Sequence, residues 1–269
     1  VRAQVLKAVI PAVFNSRMAG QAGIHLDLVF DPESKMDSRV RGNDGKKMNS
    51  NLKSISAVFF DLDGTLIDSA PDLIDAMRRL RAELGEPAIA MDKVGMVVSK
   101  GGRAMLRAGF PGIDEARIET LLPRYLDLYA QQIALLTRTF DGIDAVLENF
   151  DARALPWGIV TNKPERLARR VVAELGLATR SVALIGGDTL AKRKPDPEPL
   201  LHAAQLANVD ARCSVYVGDD ARDIEAGRAA GMRTVAAAWG YLDGEDPHDW
   251  GADIVVARPR DLLAALDLD

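Results

Sequence analysis

The stretch VFFDLDGTLIDS, Val58 to Ser69, constrains this chain more than any other. Val58, Phe59 and Phe60 form an apolar run rich in β-favouring residues, which predicts a buried strand. That run drives straight into Asp61 and Asp63, separated by Leu62 alone. Two carboxylates held so close repel unless a cation or a shared proton compensates them, so the arrangement costs stability unless it serves chemistry. Gly64 and Thr65 then turn the chain.

From Ser54 onward the same kind of run recurs. SISAVFF is the first predicted strand, followed by PWGIVTN, SVALIGGD, SVYVGDD, RTVAAAWG and DIVV. Amphipathic segments fall between them: PERLARRVVAELG, with Pro164 suited to a first turn and Gly176 to a stop, DPEPLLHAAQLAN, and ARDIEAGRAAG closing at Gly231. Strands alternating with helices predict an α/β fold, a doubly wound, Rossmann-like parallel sheet. About ninety residues between the first strand and Pro156 break the alternation and read as almost wholly helical. A crossover needs one helix, so the excess predicts an inserted helical cap that can act as a lid. The expected organisation is an arm over 1–53, a core formed by 54–67 and 139–269, and a cap over 68–138.

In such sheets ligands bind beyond the carboxyl ends of the strands. The first strand delivers Asp61 and Asp63 there, and the second delivers Thr161 and Asn162. Lys194 follows the third, with Pro195 and Pro197 expected to hold its approach extended. The fourth delivers Gly218, Asp219 and Asp220, with Asp223 one helical turn on. Taken alone, Asp219 to Asp223 reads more readily as a helix start, and Lys194 as a solvated surface lysine. A calcium loop starting at Asp61 would need glycine sixth and glutamate twelfth. Here Leu66 is sixth and Asp72 twelfth, which disfavours that reading.

Four segments in this order, DLDGT, the strand-terminal Thr161 with Asn162, Lys194 before Pro195, and GDDARD at Gly218 to Asp223, resemble the motifs of the haloacid dehalogenase superfamily over residues 54–269. Within it the chain is similar to the phosphoglycolate phosphatase group and to N-acetylmuramic acid 6-phosphate phosphatases, through VTNKP, KRKPDPEPL and GYLDGEDPHDWGAD. The resemblance implies a magnesium-dependent phosphomonoesterase with an aspartyl-phosphate intermediate. Asp61 would be the nucleophile and Asp63 the general acid and base. Thr161, Asn162 and Lys194 would bind the phosphoryl group. Asp61, the Asp63 carbonyl and Asp219 would hold Mg2+. Asp223 would orient Lys194, Thr65 would brace the loop, and Asp220 would assist the metal or cap the following helix. Carboxylate chemistry of this kind is compatible with phosphoryl transfer. In the cap, VVSKGGRAML presents Lys100 and Arg103 on an expected flexible loop, suited to an anionic group on the substrate.

The bulk numbers exclude other classes. Asp and Glu outnumber Lys and Arg 39 to 34, giving a net charge of -5, and no basic stripe with aromatics appears, so no nucleic-acid partner is expected. No run approaches the ~20 apolar residues of a membrane span. The single cysteine, Cys213, leaves no internal disulfide framework and is expected as a small buried residue entering a strand. His25, His202 and His248 are scattered, which disfavours zinc chemistry. Taken with what the resemblance implies, an enzyme whose partner is a small phosphate ester, the expectation is a cytoplasmic protein, monomer or homodimer. A sugar phosphomutase and a non-enzymatic phosphate-binding regulatory module stand as alternatives. Residues 1–53 carry nine Lys/Arg against five Asp/Glu and lack period. KMDSRVRGNDGKK is expected to be a disordered, functionless arm that resembles a translated intergenic repeat, with Met48 as the natural start.

Overall fold

The computed structural model describes residues 54–269; the expectations for 1–53, including a start at Met48 and any role of His25, lie outside the described residues. The first apolar run forms β1 (Ala57–Phe60), with all four residues fully buried. Alternation along the strand sends Val58 and Phe60 into one hydrophobic layer and Ala57 and Phe59 into another, the expected behaviour of a parallel strand covered on both faces.

Chain order introduces β2 (Ile67–Asp68), α1 (Ala70–Glu83), α2 (Asp92–Met96), α3 (Gly102–Gly109), α4 (Glu115–Gln131), β3 (Arg138–Thr139) and α5 (Ile143–Ala152). There follow β4 (Trp157–Val160), α6 (Glu165–Glu174), β5 (Leu184–Ile185), α7 (Glu198–Leu206), β6 (Ser214–Gly218), α8 (Ala221–Ala229), β7 (Arg233–Ala237), β8 (Ile254–Val256) and α9 (Leu262–Ala265). Six strands pair in the order β5-β4-β1-β6-β7-β8, and every pairing is parallel. All six runs picked out in the sequence are therefore strands of one sheet. The order reverses at β1, which lies between β4 and β6, so the ends of these three strands frame a switch-point crevice.

The helical insertion α1–α4 leaves and returns through a short antiparallel ribbon, in which Ile67 pairs with Thr139 and Asp68 with Arg138. Inside it α1 and α3 both pack on α4, and the buried Tyr125 hydroxyl donates to the Leu73 carbonyl at 3.0 Å. The GG pair expected as a flexible loop instead starts a helix. Gly101, at φ +86°, makes the turn, and Gly102 opens α3 where an added Cβ would lie 2.9 Å from Leu122 Cδ1. Close helix packing overrides the low helix propensity of glycine here.

Two further expectations are corrected. Lys194 and Pro195 lie in a turn rather than an extended approach, with a cis peptide between them and the turn closed by Asp196 N–H on the Arg193 carbonyl at 2.9 Å. Cys213 is half-buried in a short 3-10 turn ahead of β6 rather than in the core. Among the described residues no helix is long and apolar enough to cross a membrane.

Candidate active site

Register fixes the site. Phe60 lies opposite both Ile159 and Val217, so the chain leaves β1, β4 and β6 at nearly one level. Asp61, anchored by its N–H on the Val217 carbonyl at 2.9 Å, therefore sits between Thr161 and the Gly218–Asp219 turn. Gly64, at φ +88°, carries the chain past Asp219 so closely that a Cβ there would lie 2.0 Å from Asp219 Oδ2. Any other residue would both strain the turn and evict that carboxylate.

Asp61, Asp219 and Asp223 are buried, and each offers an oxygen within 4.8 Å of the others. Burial, then the charges of Asp61 and Asp223, push the Asp219 carboxyl well above the usual range. Burial first, and the Asp61 and Asp220 charges with it, raise Asp223 to about 7 even though Lys194 pulls the other way. Three buried carboxylates with oxygen-only donors and insufficient counter-charge fit a hard divalent cation such as Mg2+, which would compensate them. The Asp63 backbone carbonyl opens on the same spot, 3.3 Å from Ser99 Oγ.

Lys194 pairs with two members of this acidic cluster. Its ammonium lies 2.9 Å from Asp61 Oδ1 and 2.7 Å from Asp223 Oδ1, and donates to Tyr216 Oη at 2.8 Å. Burial alone would neutralise it, but Asp223 and Asp61 hold its pKa above the ordinary lysine value. Asn162 braces this lysine through Nδ2 to the Lys194 carbonyl at 3.0 Å, and Thr161 Oγ1 accepts the Lys163 N–H at 3.2 Å. Thr65 Oγ1 donates to Asp219 Oδ1 at 2.9 Å.

Asp220 caps α8. Its carboxylate accepts Arg222 N–H at 2.9 Å while Asp223 Oδ2 takes the Asp220 N–H at 3.2 Å, a reciprocal capping box. The Arg222 guanidinium and Lys100 outweigh burial and bring Asp220 down to about 2.

Several residues at the site were not anticipated. Lys163 is buried and donates to both oxygens of Asp63 at 3.0 Å, with its ammonium 4.4 Å from the centre of the Tyr129 ring of α4. Against the effect of burial, the Asp63 charge raises its pKa. A sequence signal existed: a cation just ahead of a helix N-terminus is unfavourable to that helix, which suggests its charge is used elsewhere. Ser99, Arg222 and Tyr241 carried no such signal.

A cavity of about 210 Å3 opens over these groups. Asp61, Asp63, Thr161, Asn162 and Lys163 form its polar end, and Leu73, Met105, Leu122, Tyr125 and Tyr129 from the insertion form an apolar wall. Both cap cations line it too, yet each is already paired. Lys100 lies 2.7 Å from Glu245 and 3.3 Å from Asp220, and the half-exposed Arg103 forks onto Glu119 at 2.5 and 2.8 Å. His202, on α7, and His248, exposed beside Asp246, are not among its lining residues.

A family model described as haloacid dehalogenase-like hydrolase matches residues 58–237, the span from β1 to β7 that builds this site. The chain belongs to the haloacid dehalogenase-like hydrolases. It is 49% identical over 207 residues to a phosphoglycolate phosphatase of Xanthomonas campestris pv. campestris, covering 77% of this chain and 94% of that one. It is 44% identical over 215 residues to an N-acetylmuramic acid 6-phosphate phosphatase of Pseudomonas aeruginosa, covering 79% and 95%. A solved structure of a predicted phosphoglycolate phosphatase from Haemophilus somnus shares the fold with a TM-score of 0.71 at 21% identity, over 78% of this chain and 97% of that one. As a haloacid dehalogenase-like hydrolase with curated relatives named as phosphatases, the chain is a hydrolase acting on phosphate monoesters.

Proposed function

We propose that this hydrolase moves the phosphoryl group of a small carboxylated ester onto Asp61 and then onto water, with Mg2+ as cofactor. The observation that carries the reading is that Asp61 and Asp63 both face the cavity while Lys194 stands 2.9 Å from Asp61. A carboxylate nucleophile, a second carboxylate on the same cavity and a buried cation beside the first meet the needs of in-line phosphoryl transfer.

Asp61, Asp219 and the Asp63 carbonyl would hold the metal. Bound there, Mg2+ would neutralise charge on the acidic cluster and on the phosphoryl oxygens. Attack by an Asp61 oxygen on phosphorus breaks the ester bond, and the Asp63 side chain gives a proton to the leaving oxygen. Asp63 then takes a proton from the water that hydrolyses the aspartyl phosphate, a contribution of roughly 10² to 10⁴ in rate. Thr161 and Asn162 line the polar end and reach the phosphoryl oxygens, and Lys194 balances the charge shared between Asp61 and that group. Asp223 holds Lys194, and Thr65 holds Asp219.

The substrates that name the two relatives, phosphoglycolate and N-acetylmuramic acid 6-phosphate, both carry a carboxylate. Lys100 and Arg103 stand on the cavity wall for such a group, although each must loosen an existing pair. Arg193 lines the same cavity and has no ion-pair partner among the described residues, so it adds an uncommitted cation. The helical insertion over 68–138 acts as the cap that encloses the substrate.

Measuring phosphate release from both esters, with Mg2+ and with a chelator, tests the reading. Release that needs the metal and vanishes in Asp61→Asn is expected. A rearranged phosphoester without free phosphate would indicate a mutase, and no turnover across a broad panel would indicate a binding module.

A further inference from the structure

The turn Val98–Lys100, between α2 and α3, brings the insertion onto the carboxylates of the core. Ser99 Oγ lies 2.7 Å from Asp219 Oδ2 and 3.3 Å from the Asp63 carbonyl. A hydroxyl has one proton, and the shorter contact takes it, so the Asp63 carbonyl keeps its lone pairs. Asp219 Oδ2 also accepts the Tyr241 N–H at 2.8 Å, and Oδ1 accepts Thr65 at 2.9 Å. A carboxylate has about four acceptor sites; these donors fill both on Oδ2 and leave one on Oδ1. Ser99 thus completes the set that fixes the orientation of Asp219 without spending the last acceptor.

Further contacts seat the same turn. The Ser99 carbonyl accepts Arg222 Nη2 at 2.7 Å, and that guanidinium is itself forked on Asp220. Lys100 reaches Asp220 and Glu245. The donors therefore hold neighbouring carboxylates of one turn, Asp219 and Asp220, from one segment of the insertion.

We propose that Ser99 is a positioning residue for the divalent cation, so that cation affinity depends on this turn of the insertion being seated on the core. The inference rests on the reading of the acidic cluster as the Mg2+ site. By linkage the dependence runs both ways: whatever seats the turn tightens the cation, and the cation tightens the seat. Loss of an outer hydrogen-bonding partner of a metal ligand typically weakens metal binding by about 10- to 100-fold.

The test is a Mn2+ titration of the full chain followed by electron paramagnetic resonance, with Mg2+ as competitor. Deuterium uptake of Val98–Gly101 is measured with and without Mg2+. Ser99→Ala is expected to weaken Mn2+ binding about tenfold or more, and Ser99→Thr, which keeps the hydroxyl, to stay near wild type. Mg2+ is expected to slow exchange in the turn of the wild-type chain and to lose that effect in Ser99→Ala. Equal or tighter binding by Ser99→Ala, or exchange in wild type that ignores Mg2+, would overturn the inference while leaving the cation site standing. A wild-type chain that binds no Mn2+ would overturn both. The exchange measurement on wild type and the Ser99→Thr variant decide the matter if Ser99→Ala does not fold.

Discussion

Lys163 Nζ lies 3.0 Å from each carboxylate oxygen of Asp63. The pair is largely buried and shares a third partner, Ser69, whose hydroxyl donates to Asp63 Oδ1 at 2.5 Å. It joins the core to the insertion, because the Lys163 ammonium also stands over the Tyr129 ring.

Removing one member of a buried pair leaves the other charge uncompensated. Lys163→Met is expected to lower the unfolding free energy by about 3 kcal/mol, the low end for such a loss because Ser69 still serves Asp63. Urea denaturation measures it. Lys163→Met combined with Asp63→Asn should recover part of the loss, since no orphaned carboxylate remains. Strict additivity of the two single changes would contradict the pairing.

Arg103→Ala is expected to raise KM for a carboxylated ester with little change in kcat, the mark of uniform binding lost. Arg193→Ala should raise it more, by about tenfold or 1.4 kcal/mol, because among the described residues Arg193 has no ion pair to break before it meets the substrate. A phosphate ester without a carboxylate should show neither effect. Steady-state kinetics on the two kinds of ester separate these outcomes, and unchanged KM in both variants would remove the carboxylate-binding role.

Asp220 titrates at about 2, below its ordinary 3.8. Its folded pKa is depressed, so its contribution to stability is present above about 4 and is lost as pH falls toward 2. Arg222 is the main cause. Arg222→Leu should therefore melt below wild type near neutral pH, and the difference should narrow on acidification through that window. A difference that stays constant in melting scans down to low pH would show that Asp220 does not depend on Arg222.

What the sequence disclosed and what it hid divide along local and non-local causes. The six strands were legible because each is a short apolar run closed by polar or glycine residues, and DLDGT was legible because paired acids after such a run have few other uses. The β2–β3 ribbon was not: each strand has two residues, too few to show alternation. Glycine propensity predicted a loop at Gly101–Gly102, and contact of α3 with Leu122, twenty residues away, turned it into a helix start. Ser99 and Lys163 gain their importance from Asp219 and Asp63, 120 and 100 positions distant. Lys163 left only the weak sign of a cation ahead of a helix. Ser99 left none, because a serine between two helices has the composition of any turn.

Asp61 becomes covalently phosphorylated in the proposed reaction. Asp63→Asn should slow hydrolysis of the acyl phosphate, so acid-quenched protein from that variant, incubated with substrate and Mg2+, is the material to weigh and digest. One phosphoryl group on the peptide containing Asp61, absent from Asp61→Asn, is the predicted result. Wild-type turnover with no phosphoryl group on any peptide, or one located on another residue, would contradict it.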